Sequence, residues 1–110
     1  MTQEFGTVVL VAFPFADSTQ EKRRPALVLT DAGDEDLLLA RVTTRQAAGP
    51  EDVTILDWQG TGLLLPSCVR LHKLATLNSR FIVRDIGRLS PTDSRNVADA
   101  LASLWQNLAR

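Results

Sequence analysis

Cysteine is almost missing from this chain, and the shortage narrows its chemistry at once. The single cysteine, Cys68, cannot close an internal disulfide. With only one histidine beside it, His72, the chain offers too few ligands for a zinc site, so no metal and no cofactor are expected. Long hydrophobic runs are missing too: Val8 to Phe15 is far too short to cross a bilayer. The opening Met1-Thr2-Gln3-Glu4 lacks the basic start and cleavage site of a signal peptide, and together these features predict a reducing cytoplasm. An excess of positive charge is also absent. Lys and Arg number 12 against 13 Asp and Glu, a net charge of −1 that argues against nucleic-acid binding by bulk charge. There are no repeats, no low-complexity tracts, no Walker loop and no Ser-His-Asp order.

What remains is an ordinary globular composition, 45% hydrophobic and 23% charged over 110 residues, which predicts a single domain spanning 1–110. Charge is unevenly spread. Acids gather at 31–36 and 51–57, while Lys22-Arg23-Arg24, Arg41, Arg45, Arg70 and Lys73 lie in other segments, so folding could assemble a positive face on a slightly acidic protein. Val8 to Phe13, rich in β-branched residues, reads as a strand buried on both faces. Further strands are expected at 26–30, 37–43, 53–56, 68–74 and 81–86, with a helical turn at 61–64 stopped by Pro66 and a turn at 77–79. At the end, Ser90 is a helix N-cap, Pro91 suits the first helical position and Asp93 completes a capping-box pattern. Val97, Leu101, Leu104, Trp105 and Leu108 then fall on one helical face. Trp58 and Trp105 read as packing residues. Many short strands followed by one amphipathic helix predict a small curled sheet or barrel with the helix packed on it.

The segment from Phe13 to Leu29 reads as a polar loop with three adjacent cations set between two apolar strands. Pro25 biases Arg24 toward an extended conformation, so its side chain is expected to project from a strand edge. A guanidinium held that way suits a phosphate. From this segment alone, a phosphate site and a merely solvated turn stand level.

The chain resembles the MazF/PemK-like toxins, the ribonuclease half of bacterial type II toxin–antitoxin pairs. The resemblance runs in order through Phe5-Gly6, Val8-Val9-Leu10-Val11, Phe13-Pro14-Phe15 with Asp17, and Arg24-Pro25-Ala26-Leu27-Val28-Leu29. It continues at Ala40-Arg41-Val42-Thr43-Thr44, Gly62-Leu63, Pro66-Ser67-Cys68-Val69-Arg70, Lys73-Leu74 and Ile86-Gly87-Arg88-Leu89-Ser90, and it closes with the C-terminal helix. It implies a mainly β fold with a C-terminal α-helix, an SH3-like barrel of the CcdB/MazF/PemK type. The implied activity is cleavage of single-stranded mRNA without a metal, giving a 2′,3′-cyclic phosphate and a 5′-OH. The implied partners are a second copy in a homodimer and a cognate antitoxin, with no membrane.

By the same resemblance Arg24 and Thr43 are the catalytic pair. On residue chemistry alone, Thr43 is better explained by β-propensity, and its hydroxyl is no proton acceptor at neutral pH. Thr44 ranks second and faces the opposite side if the strand persists. Arg70 and His72 share a strand face where some members carry Arg-x-Asp, with His72 in the aspartate's place. A histidine there can act as acid or base near neutral pH, but a lone histidine at such a place is more often a silent surface residue. Thr7 also departs from the Asp or Asn often found after the glycine. Lys22, Arg23, Thr44, Arg45 and Lys73 are expected to bind RNA, and a loop from Asp17 to Arg23 to close over it. Cys68 reads as a small core residue. Two other functions fit the same elements: a CcdB-like gyrase poison binding through the end of its C-terminal helix, and an RNA-binding member without activity.

Overall fold

The apolar runs read as strands pair with one another, every pair antiparallel. The structure, a computed structural model, describes residues 3–13 and 22–109. Strands β1 (Thr7–Phe13), β2 (Lys22–Asp31), β3 (Asp36–Thr43), β4 (Asp52–Thr54), β5 (Cys68–Asn78) and β6 (Ile82–Arg88) form one sheet in the order β4-β5-β3-β2-β1-β6. A single helical turn, α1 (Trp58–Thr61), lies between β4 and β5, a 3-10 turn spans Ser79–Phe81, and α2 (Pro91–Leu108) follows β6.

Register shifts interrupt the β1–β6, β2–β3 and β3–β5 pairings. Such bulges bend strands and increase twist, and the sheet curls accordingly. One face packs Val8, Leu27, Val42, Val69 and Leu71 against Ile55, Leu89 and the apolar stripe of α2 led by Val97. The other buries Val9, Val11, Ala26, Val28, Leu37 and Leu39 under Phe13, Leu77, Phe81 and Ile82. The edge strands β4 and β6 do not pair among the described residues, so the sheet is a curled, barrel-like one that stops short of closure.

Several expectations need correction. Lys22, Arg23 and Arg24 are strand residues, not loop, because they pair with Phe13, Ala12 and Val11 of β1. β5 runs on through Asn78, held by pairing with Asp36 and Leu37, so the turn begins only at Ser79. The helical turn comes three residues early and is ended by Gly62, at φ 97° in the left-handed region open to glycine, not by Pro66. Ser90 caps α2 by accepting from the Asp93 amide at 3.1 Å. The Asp93 carboxylate, however, does not close the capping box. It is buried and accepts from the backbone N–H groups of Leu56 and Asp57 at 2.9 and 3.0 Å. Trp58 packs on the core as expected. Trp105 and Leu108 do not, being 71% and 72% exposed near the end of α2.

Candidate active site

Strand alternation assembles the site. On β2, Lys22 and Arg24 continue the face that carries Ala26 and Val28 into the second core cluster. On β3, Arg41 and Thr43 continue the face of Leu37 and Leu39. Ala26 pairs with Arg41, which sets the cationic ends of the two strands side by side. Lys73 of β5 joins them. The result is an open cavity of about 360 Å³ ringed by Lys22, Arg24, Arg41 and Lys73 over a floor of Phe13, Ala26 and Leu39. Leu74, 45% exposed, forms part of its rim. Four cations over an apolar, partly aromatic floor suit a ligand that is anionic at one end and flat and apolar at the other.

A second cluster adjoins this cavity, because Arg41 also pairs with Arg70 on β5. Beyond that pair the register shifts, and the next match is Ala40 with Leu74, so His72 and Lys73 lie in a bulge. From the other side β4 pairs Asp52 with Arg70. The Asp52 side chain is only 3% exposed; its Oδ1 lies 3.5 Å from Arg70 Nε and 3.8 Å from His72 Nδ1. Oδ2 accepts from the Ala48 amide at 2.9 Å, whereas Oδ1 and Arg70 Nε, both buried, lack a hydrogen bond. Thr43 Oγ1 accepts from the Arg45 amide at 3.2 Å, which leaves the hydroxyl proton for another acceptor. Cys68 donates to the Arg45 carbonyl at 3.4 Å. Burial, and then the Asp52 charge, push its thiol pKa up against the opposing pull of Arg70, so it is an inert core residue.

Of the residues expected from sequence, Lys22, Arg24 and Lys73 line the cavity. Thr43, Arg70 and His72 lie on β3 and β5 beside it. Arg23 does not join them: alternation turns it to the opposite face, with Leu27. Thr44 and Arg45 are exposed in the bend after β3, which ends at Thr43, so the expected alternation of Thr43 and Thr44 does not apply. The loop expected to close over RNA lies outside the described residues from Asp17 to Glu21. Two residues of these clusters were given no site role from sequence, although Arg41 was named among the cations that folding could bring together. Arg41 could have been given one, since it stands two positions before Thr43 on one strand. Asp52 could not, because it belongs to an acidic stretch that only the β4–β5 pairing brings among the cations. Among the described residues no three His, Cys, Asp or Glu side chains converge as a metal site, and no helix is long and apolar enough to cross a membrane.

The family model for PemK-like, MazF-like toxins of type II toxin–antitoxin systems matches residues 4–105. A comparison with curated proteins gives no match. Among solved structures, the Mycobacterium tuberculosis toxin MazF-mt6 is similar at TM-score 0.75 and 21% identity, covering 91% of this chain and 96% of its own. MazF from Deinococcus radiodurans in a MazE–MazF crystal matches at TM-score 0.75 and 25% identity, over 94% and 96% of the two chains. A mycobacterial endoribonuclease in complex with its cognate antitoxin matches at TM-score 0.70 and 19% identity, over 90% of each chain.

Proposed function

The chain belongs to the PemK-like, MazF-like toxins of type II toxin–antitoxin systems, and from that premise we propose that it is a metal-independent, sequence-specific endoribonuclease that cuts single-stranded mRNA and so arrests growth. The cavity carries the reading: Lys22, Arg24, Arg41 and Lys73 from three strands over a floor containing Phe13. Single-stranded RNA offers a phosphate beside an unstacked base, and a cationic rim over an aromatic floor matches both.

Metal-free cleavage needs a proton acceptor at the ribose 2′-OH, donors at the phosphate, and a proton for the leaving 5′-oxygen. In the proposed step the 2′-oxygen attacks phosphorus as its proton leaves, the bond from phosphorus to the 5′-oxygen breaks, and water supplies the proton that oxygen takes up, the hydroxide so formed being neutralised by the proton taken from the 2′-OH. The products are a 2′,3′-cyclic phosphate and a 5′-OH. Arg24, held extended by Pro25, grips the phosphate. The Thr43 hydroxyl, its oxygen already occupied by the Arg45 amide, donates to a phosphoryl oxygen. Arg70 adds positive charge, and His72 is the one imidazole available to take the 2′ proton.

The partners follow from the same family. The antitoxin complexes of the mycobacterial and Deinococcus relatives support a cognate antitoxin for this chain, working in the cytoplasm where mRNA is found. A homodimer is proposed as well. The apolar surface it would cover lies mostly off the strands, at Leu56, Leu64 and Leu65 around α1 and at Trp105 and Leu108 on α2. Incubating the pure protein with a long RNA in excess EDTA tests the central claim. Discrete cuts with cyclic-phosphate ends support it, and cleavage restored only by Mg²⁺ refutes the metal-free step. The exposed Trp105 and Leu108 favour one other reading, a gyrase poison acting through the helix end. Gyrase inhibition by a protein that leaves RNA intact would establish that instead.

A further inference from the structure

We propose that Asp52 is a positioning residue that fixes the Nδ1–H tautomer of His72, leaving the Nε2 lone pair to face substrate. The inference rests on the nuclease reading for its consequence and on the geometry for its content. A carboxylate 97% shielded from solvent would ordinarily be fully hydrogen-bonded, yet here one oxygen is engaged and the other is not. The unengaged oxygen, Oδ1, stands between two donors just beyond bonding range, Arg70 Nε at 3.5 Å and His72 Nδ1 at 3.8 Å. At 3.8 Å the contact is an electrostatic one rather than a hydrogen bond, and a buried carboxylate at that distance still favours the proton on the nearer ring nitrogen.

Among the described residues, strand pairing sets Arg70 and Lys73 beside His72 on its own strand, Arg41 across on β3, Asp52 on β4, and Glu51 just before it, whose carbonyl accepts from the Leu71 amide. Arg70 already provides the carboxylate with a full positive charge, so the imidazole can sit beside Oδ1 in its neutral form. A neutral imidazole carries one N–H, and a carboxylate attracts whichever nitrogen bears it. With Nδ1 facing Oδ1 at 3.8 Å, the proton is favoured there, and Nε2, on the far side of a ring whose side chain is 40% exposed, is an acceptor. That is the state required of a base at the ribose 2′-OH: Nε2 receives the proton while Asp52 steadies the imidazolium that forms.

His72 is the chain's only histidine, so one imidazole signal reports its tautomer without assignment. Nitrogen-15 NMR of the wild-type protein at a pH where the ring is neutral should show Nδ1 protonated and Nε2 bare. A majority Nε2–H form overturns the proposal whether or not the protein cuts RNA, which separates it from failure of the nuclease reading. Asp52→Asn keeps the side chain's volume and an acceptor for the Ala48 amide. It should lower kcat about tenfold, less than the roughly 100-fold or more lost with a positioned acid–base group itself, leave KM within about twofold, and keep the histidine-dependent limb of the pH–rate profile that His72→Ala loses. Wild-type kcat in Asp52→Asn, or a loss confined to KM, overturns the proposal. Should that variant fail to fold, the wild-type spectrum alone decides.

Discussion

Replacing Asp93 by alanine should cost this fold more than any other single polar side chain on α2. Its carboxylate is 1% exposed and reaches out of the helix to accept from two successive backbone N–H groups, Leu56 at 2.9 Å and Asp57 at 3.0 Å. Asp57 in turn caps α1 by accepting from the Gly60 amide at 3.0 Å. One carboxylate therefore ties the start of α2 to the chain leaving β4, the strand that carries Asp52. Hydrogen bonds to a charged group contribute about 1.5–3 kcal/mol each, and donors left without a partner add a penalty when water reaches them poorly. Because these two N–H groups are only partly buried, the lower end applies, and Asp93→Ala should lose about 3–4 kcal/mol. Against a total stability of about 5–15 kcal/mol that is a large fraction, and it corresponds to a fall in Tm of roughly 12 °C or more. Ser90→Ala, which removes only the cap to the Asp93 amide, should lose about 1 kcal/mol. Urea denaturation followed by far-UV circular dichroism measures both. If Asp93→Ala proved no more costly than Ser90→Ala, the two bonds to Leu56 and Asp57 would not be holding the helix, and the reasoning would fail.

Arg24→Ala should reduce kcat on single-stranded RNA by about 100-fold, the effect of losing one preorganised donor at a developing charge, and undiminished toxicity of the induced variant at equal abundance would remove Arg24 from the site. Arg41→Ala should act mainly on KM and make binding less steeply dependent on salt, since it withdraws one cation from the cavity rim; fluorescence anisotropy of a labelled oligonucleotide across a salt series reads both. Gly87→Ala should destabilise by about 2 kcal/mol or more, because a Cβ there overlaps the Thr61 carbonyl and forces β6 off α1; an unchanged denaturation midpoint would contradict that packing. Cys68 should label slowly with a thiol reagent at neutral pH in the native protein and rapidly in urea, in keeping with its burial and its raised pKa.

The parts of the fold legible in the sequence are those whose signal is local. Val8 to Phe13 is β-branched enough to be a strand anywhere, and Ser90-Pro91 followed by an apolar stripe marks α2 without help. The misread parts depend on partners distant in the chain. Lys22 and Arg23 have no strand preference of their own and are extended because Phe13 and Ala12 pair with them. β5 outlasts its apolar run because β3 supplies partners as far as Asn78. Trp105 keeps helical phase with Val97 yet is exposed, since phase says which side a residue faces and not whether anything in the fold covers it. At the site, the resemblance pointed to Arg24, Thr43 and Arg70 because those positions carry motif residues. It could not point to Asp52, whose role is created by β4 docking on β5.

The net charge of −1 misleads about this surface for a reason that lies in the β2–β3 hairpin. Its turn, Asp31 to Asp36, holds four acids, while its open end holds Lys22, Arg24 and Arg41. Backbone N–H groups of Gln3 and Gly33, each 2.8 Å from the Asp31 carboxylate, hold its pKa below the usual range, so the turn stays negative. At about 3.3 Å per strand residue, the seven residues from Arg24 to Asp31 separate the two ends by roughly 23 Å. Physiological salt screens charges over about 8 Å. The acids of the turn therefore hardly weaken the field at the cavity, and a phosphate there meets four cations from Lys22, Arg24, Arg41 and Lys73. Among the described residues, Asp52 is an acid that topology places close by. With its charge opposed by Arg70 at 3.5 Å, it contributes orientation more than repulsion.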